Sequence, residues 1–111
     1  MSKSALYYLL SGVQTASVTG EVVNLLRDNN TQVKKSVQAS VSGVGAVSAT
    51  IIIEASNLND ATSWLPLAII TLTGTTAATD GFTFDAPWSF VRARETTLSG
   101  TGATVSATMA V

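Results

Sequence analysis

The feature that most constrains the fold of this chain is a strict alternation of apolar and polar residues near its C-terminus. Apolar residues take every second position of residues 103–111: Ala103, Val105, Ala107, Met109 and Val111. The positions between them carry mainly hydroxyl groups. Side chains of a β-strand point alternately to the two faces of a sheet, whereas an amphipathic helix repeats every 3.6 residues. The pattern therefore predicts a strand with one buried face.

Two further runs alternate in the same way, residues 32–42 and residues 46–56. In the first run a single charged residue, Lys35, shares the otherwise apolar face. The sequence Gly43-Val44-Gly45 separates the two runs, and glycine is common where a chain reverses. We therefore expect the two runs to form a long antiparallel hairpin.

Shorter runs and turn residues complete the pattern. Residues 5–10 and 65–73 are predicted strands, and turns are predicted at Asp80-Gly81 and at residues 99–102. The whole sequence thus contains about eight predicted short strands and no convincing helix. This pattern predicts one all-β domain over residues 1–111, with the form of a jelly-roll-like antiparallel β-sandwich. Its predicted core comprises Val37, Val41, Val47, Ile51, Ile53, Ile70, Phe82, Val91, Val105 and Met109.

Composition excludes several classes of function. Only 12% of the residues are charged, the net charge is −1, and the chain has no cysteine and no histidine. It therefore lacks thiolate chemistry, disulfides and the commonest general base and metal ligand. No strongly basic patch favours nucleic acid, and no uninterrupted apolar run favours a membrane span. We expect no enzyme activity, no catalytic residue, no bound metal and no cofactor.

The arginines near the C-terminus are candidate binding residues. Arg92 and Arg94 are two positions apart, so on a strand they share a face, and with Trp88 they form a possible recognition stripe. The alternative is that both arginines form ion pairs, with Glu95, Asp85 or a neighbouring subunit.

A polar loop at residues 57–63 is the second candidate. Asn57 and Asp60 offer oxygen atoms for a ligand, but a calcium loop needs more carboxylates at defined offsets. Asn and Asp side chains also bond their own backbone in ordinary turns, and this turn interpretation is favoured.

Four phrases of the sequence resemble small structural proteins of tailed bacteriophages. They are the opening Met-Ser-Lys-Ser-Ala, the stretches at residues 53–64 and 79–94, and Gly-Thr-Gly-Ala-Thr-Val-Ser-Ala-Thr-Met at residues 100–109. The resemblance implies a capsid decoration or cement protein, or a neck or tail component, located in the virion. Such proteins form homo-oligomers, often trimers, and bind the major capsid protein or other virion proteins without catalysis.

Two further expectations concern the N-terminal segment and the region of the arginines. The N-terminal segment is expected to act as an assembly arm that reaches a neighbour, through Ser2, Lys3, Leu6, Tyr7 and Tyr8. The phrase Phe-Val-Arg-Ala-Arg at residues 90–94 also resembles the end of discoidin-like carbohydrate-binding sandwiches. A carbohydrate-binding or receptor-binding module of a phage tail or neck is therefore the alternative function, with Trp88, Arg92, Arg94 and the loop at residues 57–60 as contacts.

Overall fold

The computed structural model describes residues 5–111, which form seven β-strands and no helix, so no described helix could cross a membrane. The strands are β1 (Leu6–Val13), β2 (Val18–Thr19), β3 (Val23–Asn24), β4 (Lys35–Ser56), β5 (Leu65–Gly74), β6 (Ala77–Phe84) and β7 (Phe90–Ala110). The all-β prediction is confirmed. The predicted number of about eight strands is too high for the described chain, because two predicted turns lie inside long strands.

All strand pairs are antiparallel, and the strands are connected into one sheet. Its order is β1-β7-β4-β5, with β2 and β3 also paired to β7 and β6 also paired to β4. A β-sandwich, the predicted form, is built of two packed sheets. A single connected sheet results instead because β4 and β7 each run through both halves of the molecule and pair with each other along most of their length.

The expected hairpin across residues 43–45 is wrong, since β4 continues through it as a single strand of 22 residues. The expected turn at residues 99–102 is likewise wrong, because it lies within the 21-residue β7. Gly45, Gly100 and Gly102 do adopt positive φ, at 82°, 126° and 63°. These glycines produce local irregularities where the strand register shifts, and not a reversal of the chain.

The long strands are bent. A straight strand of 21 residues would span about 70 Å at a rise of about 3.3 Å per residue, whereas the longest dimension of the molecule is 44 Å. Two of the three register shifts of the β4–β7 pair fall between Ser42 and Ser48, near the middle of β4, and the third lies between Thr50 and Ile51. On the other side of β4, β6 pairs before this bend and β5 pairs after it.

The expected turn at Asp80-Gly81 is also wrong, because both residues lie within β6 and pair with Ala39 and Gln38. Glycine is required there for a different reason. A Cβ atom at position 81 would lie 2.2 Å from the carbonyl oxygen of Val37, so the two strands approach too closely for any side chain.

The core lies on the alternating apolar face, as the sequence pattern predicts. The predicted core residues are buried with one exception, Phe82, which is half-buried and packs against the core. Lys35, the charged residue on this face, is also buried. Outward-facing residues of β4 and β7 form the opposite face, and the candidate site lies there.

Candidate functional site

Glu54, Arg92 and Arg94 form a charged cluster on the outer face of the sheet. Val91 and Ala93 of β7 are buried, so the arginines between and beyond them face outward. Glu54 lies opposite Arg92 in the β4–β7 register. Its carboxylate accepts hydrogen bonds from Nε of Arg92 at 2.8 Å and Nε of Arg94 at 3.3 Å. One carboxylate thus serves two guanidinium groups, and the cluster keeps a net charge of one positive unit.

Trp64 extends this cluster. The guanidinium carbon of Arg92 lies 4.3 Å from the centre of the Trp64 ring, within the range of a cation–π interaction. Glu54 and Trp64 were not among the predicted site residues. Finding them requires the register that aligns Glu54 with Arg92, which the alternation of each strand alone does not specify.

The predicted ion pairing of the arginines holds, but its partner is Glu54, and neither Glu95 nor Asp85 forms a described salt bridge with them. Glu95 cannot serve because it follows Arg94 directly on the strand and therefore points to the opposite, buried face.

The other predicted contact residues mainly pack or hydrogen bond within the fold itself. Trp88 is half-buried and packs against the core. Asn57 accepts a hydrogen bond from the backbone N–H of Ser89 at 3.2 Å, which ties its loop to the start of β7. Asp60 accepts one from the N–H of Thr62 at 3.0 Å. Hydrogen bonding from Ser63 and from Thr62 lowers the pKa of Asp60.

Exposed apolar side chains occur on both outer strands of the sheet order. On β5, Leu65 and Ile69 are 54% and 64% exposed. On β1, Leu6 and Tyr8 are 53% and 65% exposed. Large apolar side chains in water mark interaction surfaces when they are grouped. The sheet therefore exposes apolar side chains at two opposite edges, the β1 patch (Leu6 and Tyr8) and the β5 patch (Leu65 and Ile69). A bulge between Leu65 and Ile69 places these two on different faces of β5, since they lie opposite Ala55 and Ile52.

The predicted N-terminal arm is described in part. Leu6, Tyr7 and Tyr8 belong to β1 and are paired to β7, while Ser2 and Lys3 lie outside the described residues. The Tyr7 hydroxyl donates to Oδ2 of Asp28 at 2.9 Å. Burial raises the pKa of Tyr7, and the Asp28 carboxylate raises it further. Tyr7 thus stabilises the fold, and Leu6 and Tyr8 remain available to a partner.

Two buried charged residues, Lys35 and Glu95, lie on the inner face of the sheet and differ in their hydrogen bonding. The Lys35 ammonium donates to the carbonyl oxygens of Thr31, Val33 and Ala86, at 2.9, 2.8 and 3.3 Å. In contrast, no described residue makes a hydrogen bond of normal geometry to either carboxylate oxygen of Glu95. Burial raises the pKa of Glu95, and the backbone N–H of Ser17 offsets this only in part.

Residues 5–111 contain no group of three or more acidic, cysteine or histidine side chains that could hold a metal ion. Asp60, the acidic residue that the sequence analysis considered as a ligand, instead accepts a hydrogen bond from the N–H of Thr62 in its own loop.

No family model matches the sequence, and no curated protein matches it. Among solved structures, the crystal structure of the SPBc2 prophage-derived protein YomS is similar, with a TM-score of 0.58 and 13% sequence identity. The matched region covers 97% of this chain and 92% of that chain, so the likeness extends over the whole domain. At this identity it concerns the fold alone: the chain shares the fold of a prophage-derived protein.

Proposed function

We propose that this protein is a non-enzymatic structural component of a bacteriophage particle, a capsid decoration or cement protein that forms a homo-oligomer and binds the shell. The prophage origin of the structural neighbour and the phage-like phrases of the sequence both support a phage context. They do not by themselves select a role within the particle.

The observation that carries the role is the pair of exposed apolar patches at opposite edges of the sheet, one on β1 and one on β5. A decoration protein that oligomerises contacts both its own copies and the shell. Two separate patches on a weakly charged surface meet that requirement, whereas an isolated monomer gains nothing from either.

The energetics fit a protein that acts in many copies. Fully burying a large aliphatic side chain contributes about 1.5–3 kcal/mol, and those on the two patches are already partly buried. Each patch therefore supports only a modest affinity, after the cost of association is subtracted. Copies that also bind one another would be held more firmly, because linked contacts raise the effective concentration.

Quantitative mass spectrometry of purified particles tests this function. We expect the protein in phage particles purified from a producing host, at a copy number in a simple ratio to the major capsid protein. Its presence in the host lysate but not in particles purified from that lysate would contradict the proposal.

A carbohydrate-binding or receptor-binding module of a tail or neck is the second candidate. The Trp64–Arg92 pair beside the loop at residues 57–63 favours it, because aromatic faces next to planar polar groups suit sugar recognition. On a glycan array, binding that is lost in Trp64→Ala but kept in Trp88→Ala would place the contact on the outer face. Absence of binding by the unaltered protein would remove this candidate.

We also propose that the two halves of the bent sheet pack face to face, which would give the domain a jelly-roll-like sandwich form. One cluster of buried apolar residues draws members from both halves of β4 and β7. In methyl-labelled protein we expect nuclear Overhauser contacts between residues 37–41 and residues 49–53. Contacts confined to sequence neighbours and adjacent strands would contradict this form.

A further inference from the structure

We propose that the outer edge of β5 is the surface through which two copies of this chain associate, by antiparallel pairing of β5 with β5 about a two-fold axis at Ile69. The inference rests on the self-association included in the proposed function. It assigns one of the two apolar patches to the second copy and leaves the β1 patch for the shell.

The edge of β5 is open. Over residues 5–111, β5 hydrogen bonds only to β4, so its other side presents unpaired backbone N–H and C=O groups. The β1 edge differs, because residue 20 packs against it. A Cβ atom at Gly20 would lie 1.9 Å from the carbonyl oxygen of Leu9. The chain thus covers part of one edge itself and leaves the other for an extended partner.

The charge pattern of this edge suits pairing with an identical copy. No residue from Leu65 to Thr79 is charged. In antiparallel pairing about a two-fold axis the residue at the axis meets its own counterpart, so a charge there would meet a like charge. Soluble proteins usually protect exposed edges with such charges, often lysine. Here the protection is limited to the start of the strand, where Pro66 and the bulge beside it lie.

The side chains favour a register centred on Ile69, close to the middle of β5. This register pairs Ile69 with the same residue of the second copy and places Leu65 opposite Thr73. Within one copy, Ile69 already lies opposite the half-buried Ile52 of β4. Pairing would therefore place Ile52 and Ile69 of one copy in line with Ile69 and Ile52 of the other. It would bury part of Ile69, which is 64% exposed in the single copy.

Equilibrium sedimentation tests the surface. We expect a dimer whose dissociation constant rises at least 10-fold in Ile69→Lys, because the two new charges would face each other. Val44→Lys is the matched control: Val44 is 75% exposed and pairs with Thr101 of β7, outside the part of β4 that pairs with β5, so the dimer should persist. Circular dichroism that matches the unaltered protein would show that both variants fold.

Cysteine cross-linking tests the register, and the absence of natural cysteine makes single-cysteine variants unambiguous. Ile69→Cys should form a disulfide-linked dimer under mild oxidation, because opposed residues have Cα atoms about 4.5–5.5 Å apart. Thr73→Cys should not. In this register its counterpart lies eight positions along the seam, about 27 Å away, beyond the reach of a disulfide.

The outcomes separate this inference from the proposed function. A monomer at all concentrations, or an oligomer that Ile69→Lys leaves intact and Ile69→Cys does not cross-link, would overturn the β5 surface. Particle binding in either case would still support a structural role on the shell, although a monomer would also contradict the self-association in the proposed function. A cross-linked dimer that is absent from particles would support the β5 surface and overturn the function.

Discussion

Lys35 and Glu95 show how strongly local hydrogen bonding determines whether a buried charged residue stabilises or destabilises this fold. The Lys35 ammonium has three carbonyl acceptors and lies 5.2 Å from the centre of the Phe84 ring. Burial still lowers the pKa of Lys35, while Asp85 opposes this effect. Glu95 lacks comparable partners among the described residues. We therefore expect Lys35 to stabilise the fold and ionised Glu95 to destabilise it.

The raised pKa of Glu95 predicts that the free energy of unfolding falls as pH rises. The folded chain holds the proton more tightly than the unfolded chain, whose glutamate has the ordinary pKa of 4.5. The stabilisation is therefore complete below pH 4.5 and is lost as pH rises through the folded-state pKa. Val18 and Ile51, which lie opposite Glu95 on the neighbouring strands, carry no compensating charge.

Urea denaturation at several pH values checks this prediction. Glu95→Gln should remove the fall in stability, so that the variant is more stable than the unaltered protein at pH 7. Glu21→Gln, at an exposed position, is the control and should leave the pH profile unchanged. Parallel profiles for Glu95→Gln and the unaltered protein would show that Glu95 does not titrate in this way.

Removing the Lys35 ammonium should destabilise the protein, although methionine is more apolar and of similar length. Lys35→Met leaves three carbonyl oxygens without their donor, which we expect to cost about 2–3 kcal/mol in thermal or urea unfolding. Lys34→Met, one position away and exposed, should change stability by no more than about 0.5 kcal/mol. A neutral or stabilising Lys35→Met would mean that these hydrogen bonds contribute little.

At the scale of the strands, alternation predicted which residues face the core but not where each strand ends. Residues 35–42 and 46–56 were correctly assigned as extended with their apolar sides inward. Glycines between them suggested a turn, yet positive φ at Gly45 serves equally for a bend within a strand. Only the pairing of β4 with β7 across this point decides between the two, and that contact is distant in sequence.

The contact between residue 20 and β1 gives a prediction at this scale. Gly20→Ala would force a Cβ atom to within 1.9 Å of the Leu9 carbonyl oxygen, so the backbone must move. We expect a loss of about 3 kcal/mol, measured by urea denaturation.

Gly12→Ala is the comparison for this variant. Gly12 has φ of 62°, but a Cβ atom added there would have no neighbouring atom within 4 Å, so only conformational strain of about 1 kcal/mol is expected. Equal losses in the two variants would mean that the close approach at Gly20 is not important for stability.

At the scale of the whole molecule, the sequence identified part of the candidate site. Arg92 and Arg94 were placed on a common face by their spacing, and that placement holds. Glu54 and Trp64 join them only through the tertiary fold, since Glu54 lies 38 positions from Arg92. The open edge of β5 was also not predictable, because it depends on which strand has no outer neighbour.

Co-sedimentation of the purified protein with phage capsids lacking it tests the central claim most directly. We predict saturable binding at a fixed ratio to the shell subunits, weakened by Tyr8→Ser on the β1 patch and unaffected by the exposed control Val44→Lys. Protein that remains in the supernatant at every concentration, while still folded, would contradict the claim that it is a structural component of the capsid.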